Sequence, residues 1–204
     1  MEHEKVFKNG LQLCLSNTDL WLSESQCLYE KGSYGHSLAL LINGAESLVH
    51  AWFCWQVVNG IKKPDDKDIV KVFTEHGIKM NVLFGFILGF VNFDYYLKHK
   101  EEYAQKKDYP DEELEIEVKK MVNAEGRFKK EKLELRKQAT YVNYDPDKIV
   151  FHPPSEIRKE DVDELRQEVG IAYAIVRGLI DHATKEDISI MKSFLNLFLP
   201  NSNT

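Results

Sequence analysis

Four polar side chains of the sequence have types and spacings that could do chemistry together. Glu46 and His50 are four residues apart, so they share one helix face and can pair. His76 and Lys79 are three residues apart on the next predicted helix. An acid, two imidazoles and an ammonium, with Arg136 as a further candidate, could bind phosphate or move protons if the two faces pack together.

The same four residues allow two other interpretations. A satisfied polar network inside an apolar bundle can fix the register of two helices without any chemistry. Glu46, His50 and His76 could also hold a metal as two histidines and one carboxylate. The motifs GxGxxG, GxxxxGK[ST], HExxH and GxSxG are all missing from the sequence, so hydrolase, kinase and dinucleotide-binding functions lose their usual support. We expect no metal and no cofactor.

A second group of residues could contact RNA. Arg136, Tyr141, Asn143 and Tyr144 combine a cation with aromatic rings on which a nucleotide could stack. The alternative is an edge strand whose tyrosines pack on the bundle. The basic cluster Arg127–Lys137 has the same two interpretations, since basic residues also suit the negative end of a helix.

The elements that must position these residues are mainly helices. Apolar residues at steps of three, four and seven predict a long helix over Phe7–Tyr29, ended by Gly32. A mostly apolar helix over Tyr34–Val58 is expected to lie centrally. A third helix is predicted over Lys67–Tyr103, with a kink near one of its glycines.

The second half of the chain interrupts the helical pattern once. Pro110 starts a predicted helix with acids in its first turn. Thr140–Phe151 is predicted to be a small hairpin or an extended excursion. Helical spacing returns from Val162 to Ala183, and the capping sequence at Thr184 precedes a short helix over Ile188–Leu199. The sequence therefore predicts one all-α domain over residues 1–204, with five or six helices and one small β-hairpin near 140–151.

Composition limits the function without naming it. The chain has 204 residues, with 27 basic against 33 acidic side chains and a net charge of −6, which excludes a strongly basic nucleic-acid coat protein. Three cysteines without a CxxC pair favour a reducing cytoplasm. No signal peptide is predicted, and the apolar Val82–Phe93 window is too short to span a membrane, so we expect a cytoplasmic protein with no membrane partner.

Three blocks of the sequence carry a resemblance to a known family. They are Lys31–Trp52, the F-x-x-H-x-x-K pattern from Phe73 to Lys79, and Leu135–Pro153. Together they resemble the AbiV type of abortive-infection protein, a branch of the HEPN superfamily. The chain departs from that pattern where the family usually has Glu-Glu-x-x-Lys, because here Glu46 is followed by Ser-Leu-Val and His50.

The resemblance implies a HEPN-like helical bundle that dimerises and a role in phage defence, associated with shutting down translation. Many HEPN proteins are metal-independent ribonucleases with an R-x(4–6)-H motif, and here Arg177 and His182 fit it. The arginine would hold the scissile phosphate and the histidine would move a proton. Five positions correspond to about 140° on a helix, so the two converge only if the helix breaks, as Gly178 permits, or if a second subunit completes the site. The alternative is a surface arginine and a last-turn histidine.

Three functions follow from the resemblance. The first is an antiphage effector acting on RNA or the translation machinery, with a phage-encoded activator as a possible partner. The second is an effector that only binds another protein, and the third is the toxin of a toxin–antitoxin pair. A homodimer is expected for a further reason, because Phe7–Tyr29, Ala51–Val58 and Ile188–Leu199 offer more apolar surface than one bundle needs.

Overall fold

The computed structural model describes residues 2–75, 78–83, 85, 131, 134–135, 137–139, 143–145, 150–152 and 154–189. Its helices are α1 (Glu2–Glu30), α2 (Tyr34–Val58), α3 (Lys67–Thr74) and α4 (Lys159–His182). The fold is all-α, as predicted. The apolar core lies where α1 and α4 pack on α2.

The long first helix forms because its apolar residues return to the same side every three or four positions. Leu11 and Leu15 are buried against α2. Polar bonds also join the two helices, since Ser25 Oγ donates to the carbonyl of Ser37 at 2.8 Å and Ser37 Oγ donates back to the carbonyl of Ser25 at 2.8 Å. Gly32 ends the helix with a φ of 73°, which glycine adopts at little cost. The predicted helix and its stop are confirmed.

The second helix is central and buried on most sides, as the sequence predicted. The Trp52 and Trp55 rings stack inside the core with their centroids 5.0 Å apart. All residues from Ala51 to Val57 are buried within the chain, so this segment offers no surplus surface for association. The expectation that Ala51–Val58 is left over for a partner is wrong, because α2 is covered by other parts of the same chain.

The third helix is shorter than predicted. It begins after Asp66, whose side chain accepts a hydrogen bond from the Asp68 backbone N–H at 2.8 Å. It ends at Thr74, because Glu75 is extended with φ −118° and ψ 113°. Residues 78–83 are helical again. The continuous helix predicted from Lys67 is therefore interrupted just before Gly77, and its remainder beyond residue 85 lies outside the described residues.

The last long helix follows a single 3-10 turn at Pro154–Glu156. Its first turn is capped by Asp161, which accepts from the Arg158 backbone N–H at 3.0 Å. The predicted apolar stripe is confirmed, with these residues buried: Val162, Leu165, Val169, Ala172 and Val176. After α4, Thr184 N–H donates to Asp187 at 2.8 Å and caps a helical segment at 185–189.

Two strands of three residues each accompany the helices. They are β1 (Asn143–Asp145) and β2 (Val150–His152), which pair antiparallel with Tyr144 opposite Phe151. They occupy only part of the predicted 140–151 segment and leave the all-α class unchanged. The helix predicted from Pro110 and most of the one predicted over Ile188–Leu199 lie outside the described residues. Among the described helices, none is long and apolar enough to cross a membrane.

Candidate functional site

A buried ion pair joins two of the residues that the sequence selected. Lys79 Nζ lies 3.2 Å from Glu46 Oε2, and their side chains are only 5% and 8% exposed. Their neighbours along the chain, Ala45 and Met80, belong to the buried apolar core. Burying two opposite charges requires close pairing, because each loses its hydration. The predicted packing of the two helix faces is confirmed for this pair.

His50 lies one helical turn after Glu46 and is half-buried. Its Nε2 is 3.2 Å from the carbonyl oxygen of Val72, and its ring stacks on Phe73 with centroids 4.5 Å apart. Because a carbonyl oxygen only accepts, Nε2 is the nitrogen that carries the hydrogen in this contact. His50 is therefore anchored to α3 through both its ring nitrogen and its ring face.

The fourth member of the predicted cluster, His76, lies outside the described residues. Within the described part of the chain, no three His, Cys, Asp or Glu side chains gather as metal ligands.

Arg177 and His182 lie on one unbroken helix. α4 runs from Lys159 to His182 through Gly178, so the break that could have brought the two together within one chain does not occur. Arg177 Nε lies 3.4 Å from Asp181 Oδ2, an i, i+4 ion pair that the sequence analysis did not consider. His182 is exposed at the end of the helix. In one chain the two side chains therefore point about 140° apart.

For the predicted RNA-contacting patch, the structure describes only the backbone of two of its four residues. Asn143 and Tyr144 belong to β1. Arg136 and Tyr141 lie outside the described residues. The stacking surface predicted for these four residues stays a prediction.

A row of side-chain hydrogen bonds joins α1 to α4 and was not predicted from the sequence. Tyr29 Oη donates to Asp163 at 2.5 Å, Tyr173 Oη donates to Asp19 at 2.7 Å, and Arg166 bonds Gln26. The Arg166 guanidinium also lies over the Tyr29 ring, 4.4 Å from its centroid. Desolvation by burial, together with the bond to Asp19, raises the pKa of Tyr173. No sequence spacing signals these contacts, because they join residues more than 130 positions apart.

The comparisons with known proteins agree with the resemblance seen in the sequence. The family model described as AbiV matches residues 6–173. That span contains α1 from Val6 onward, α2, α3 and the Glu46–Lys79 pair, and it ends four residues before Arg177. No curated protein and no solved structure is similar enough to match the chain. Because the matched span covers most of the chain, the protein belongs to the AbiV family of abortive-infection proteins in the HEPN superfamily.

Proposed function

We propose that this protein is an antiphage effector that acts on RNA or on the translation machinery in the cytoplasm of an infected cell. The observation that carries the proposal is the charged pair Glu46–Lys79, buried in an apolar core beside His50. Active sites are places where proteins bury ionisable groups and give them charge partners. All three residues lie inside the span that matches the AbiV family. The predicted cluster is therefore preferred over Arg177 and His182.

The chemistry that suits this cluster is metal-independent cleavage of RNA. A neutral imidazole can take the proton of a 2′-hydroxyl, or return one to the leaving oxygen, near neutral pH. His50 is held in place for this role, since its Nε2 lies 3.2 Å from the Val72 carbonyl oxygen and its ring stacks on Phe73. Glu46 and Lys79 are too buried to touch a substrate directly. They would act as positioning residues that hold the α2 turn carrying His50 against residues 78–83.

A second candidate is an effector that binds another protein and catalyses nothing. The observation that favours it is the unbroken α4, which leaves Arg177 and His182 of one chain about 140° apart and so does not assemble the R-x4-H pair within that chain. The partner would be a component of the translation machinery, a phage-encoded activator or an antitoxin. The surface of this effector would need to be recognised, but no proton would need to move.

Induced expression with labelled amino-acid incorporation tests the effector proposal. We expect wild type to stop incorporation and growth. His50→Gln keeps a donor for the Val72 carbonyl but cannot exchange a proton, so it should restore both if the cluster is catalytic. His36→Ala, at an exposed histidine at the start of α2, is the matched control and should remain toxic. Toxicity that survives in His50→Gln but is lost in both Arg177→Ala and His182→Ala would move the active site to α4.

Chelation separates the metal alternative from the metal-free one. RNA cleavage by purified protein should be unchanged by a chelator, because proton transfer by imidazole needs no Lewis acid. Inhibition that is reversed by adding a divalent metal would favour the site of two histidines and one carboxylate instead.

A further inference from the structure

A cavity of about 160 Å³ lies in the gap between α1 and α4, and Glu46 and Lys79 do not line it. Both helices pack on α2, and Leu41 of α2 forms the floor of the gap. Leu22 of α1 and Val169 of α4 line its sides. An apolar cavity of about 150 Å³ can hold one benzene molecule, so this one has room for a compact organic molecule.

Arg166 lines the cavity with a guanidinium whose charge is not offset by its described contacts. Nη2 donates to the side-chain oxygen of Gln26, and the Tyr29 ring lies against the guanidinium, 4.4 Å from Cζ. The amide and the ring are both neutral. Nη1 is buried and has no hydrogen-bond partner among the described residues. A half-buried cation with spare N–H donors favours an anion beside it.

Other polar groups of the cavity already have partners. Ser25 Oγ donates to the carbonyl of Ser37 at 2.8 Å, and Tyr173 Oη donates to Asp19 at 2.7 Å. Hydrogen bonds to a charged group are stronger than those between neutral groups. Arg166 is therefore the group with which a ligand in this cavity would form its strongest polar contact.

Carboxylates around the cavity limit the charge that a ligand can carry. Asp19, Asp163 and Glu30 each accept a hydrogen bond from a residue that lines the cavity or contacts Arg166. Lys159 lies 3.9 Å from Asp163 and offsets one of these charges. A dianion such as phosphate would be repelled by the carboxylates and would leave the apolar walls without a partner. A single negative charge on an apolar body suits both the walls and the guanidinium.

We propose that this cavity binds a small organic monocarboxylate whose apolar body is about the size of one benzene ring. The carboxylate accepts hydrogen bonds from Arg166, since the planar guanidinium matches the geometry of a carboxylate. The apolar body lies against Leu22, Leu41 and Val169. The bound acid joins α1 to α4 across the gap, and it stabilises the folded chain because the cavity exists only in that state.

Gly170 offers a way to close the cavity by substitution. It lines the cavity, it is exposed, and a Cβ added there meets nothing within 4 Å. A helical side chain leans towards the preceding turn, so the side chain introduced by Gly170→Leu would lean towards Arg166, one turn earlier on α4. Leucine favours helix more than glycine does, so the fold should be kept. Gly178→Leu is the matched control, because Gly178 is also exposed on α4 with free space around it but does not line the cavity.

Titration of the full chain with benzoate, followed by protein NMR chemical shifts, tests the site. We expect saturable binding to wild type and to Gly178→Leu, and binding at least about tenfold weaker to Gly170→Leu. Benzamide has the same ring without the charge, so it should bind wild type at least about tenfold more weakly than benzoate. Arg166→Met removes the donors and keeps an apolar side chain. In this variant the preference for benzoate over benzamide should disappear.

A branched acid of similar size, 3-methylbutanoate, is the second probe. The proposal is overturned if neither acid binds wild type, if Gly170→Leu binds benzoate as tightly as wild type does, or if wild type binds benzamide as tightly as benzoate. Circular dichroism checks that each variant is folded, and the benzamide comparison needs no variant at all. Binding is measured directly, so the result does not depend on whether the protein cleaves RNA.

Discussion

Replacement of Lys79 by methionine should destabilise the protein far more than removal of a surface lysine. The change keeps the length and apolar character of the side chain and removes only its charge. Glu46 then keeps a buried carboxylate, 8% exposed, that has lost the cation 3.2 Å away. The core around the pair is apolar, so the carboxylate cannot easily regain hydration.

The size of the effect follows from the geometry. Two unit charges 3.2 Å apart attract by about 5 kcal/mol at an effective dielectric constant of about 20. Removing one partner of a buried pair typically costs about 3–5 kcal/mol of unfolding free energy. That is a large share of the roughly 5–15 kcal/mol that stabilises a domain. Replacing both charges with apolar side chains, as in Glu46→Leu/Lys79→Met, should cost less than Lys79→Met alone.

Urea unfolding followed by circular dichroism measures these differences. Lys8→Met is the matched control, because Lys8 pairs with Glu4 on the surface at 2.9 Å. The two side chains are 61% and 50% exposed. Exposed pairs contribute about 0–1 kcal/mol, so this variant should unfold much as wild type does. The reasoning is refuted if Lys79→Met and Lys8→Met shift the midpoint equally, or if the double variant is the least stable of the set.

Three further predictions concern the supporting contacts. Tyr173 has a raised pKa in the folded chain, so the stability from its hydrogen bond to Asp19 is present below about pH 10 and is lost as the pH rises through the folded pKa. Tyr173→Phe should therefore weaken the fall in unfolding free energy that wild type shows at alkaline pH. Gly35→Ala should cost about 1–3 kcal/mol in urea unfolding because its Cβ would lie 2.1 Å from the Pro154 carbonyl oxygen, whereas Gly170→Ala meets nothing within 4 Å and should not destabilise. Thr184→Ala removes a capping bond and should cost about 1 kcal/mol of helix stability at residues 185–189, measured by faster amide hydrogen exchange there.

The helices with clear end signals could be predicted from the sequence. α2 has the predicted bounds, Tyr34–Val58, because the Gly32 turn precedes it and Asn59-Gly60 follows it. The end of α3 could not be predicted, since Glu75 is a good helix former and the interruption depends on how the chain packs. Periodicity reports which residues can share a face but not where a helix must stop.

The residues of the polar cluster could be chosen from the sequence, but which of them contact one another was only partly predicted. The spacing of Glu46 and His50 indicates that these two can pair, but no spacing indicates the contact of Glu46 with Lys79, 33 positions away. Spacing on one helix reveals local pairs, whereas a pair between helices depends on their packing. The side of α1 that faces the core could not be predicted for a related reason, because apolar residues lie on two sides of this helix: Leu11 and Leu15 are buried, whereas Leu13 and Leu20 are exposed.

Mapping of RNA ends in cells tests the central proposal most directly. Wild type, His50→Gln, Arg177→Ala and the control His36→Ala would be induced at matched levels of folded protein. We predict new RNA ends with wild type, Arg177→Ala and His36→Ala, and none with His50→Gln, because His50 is the residue to which we assign the proton transfer that cleavage requires. New ends that persist in His50→Gln and vanish in Arg177→Ala would contradict the account.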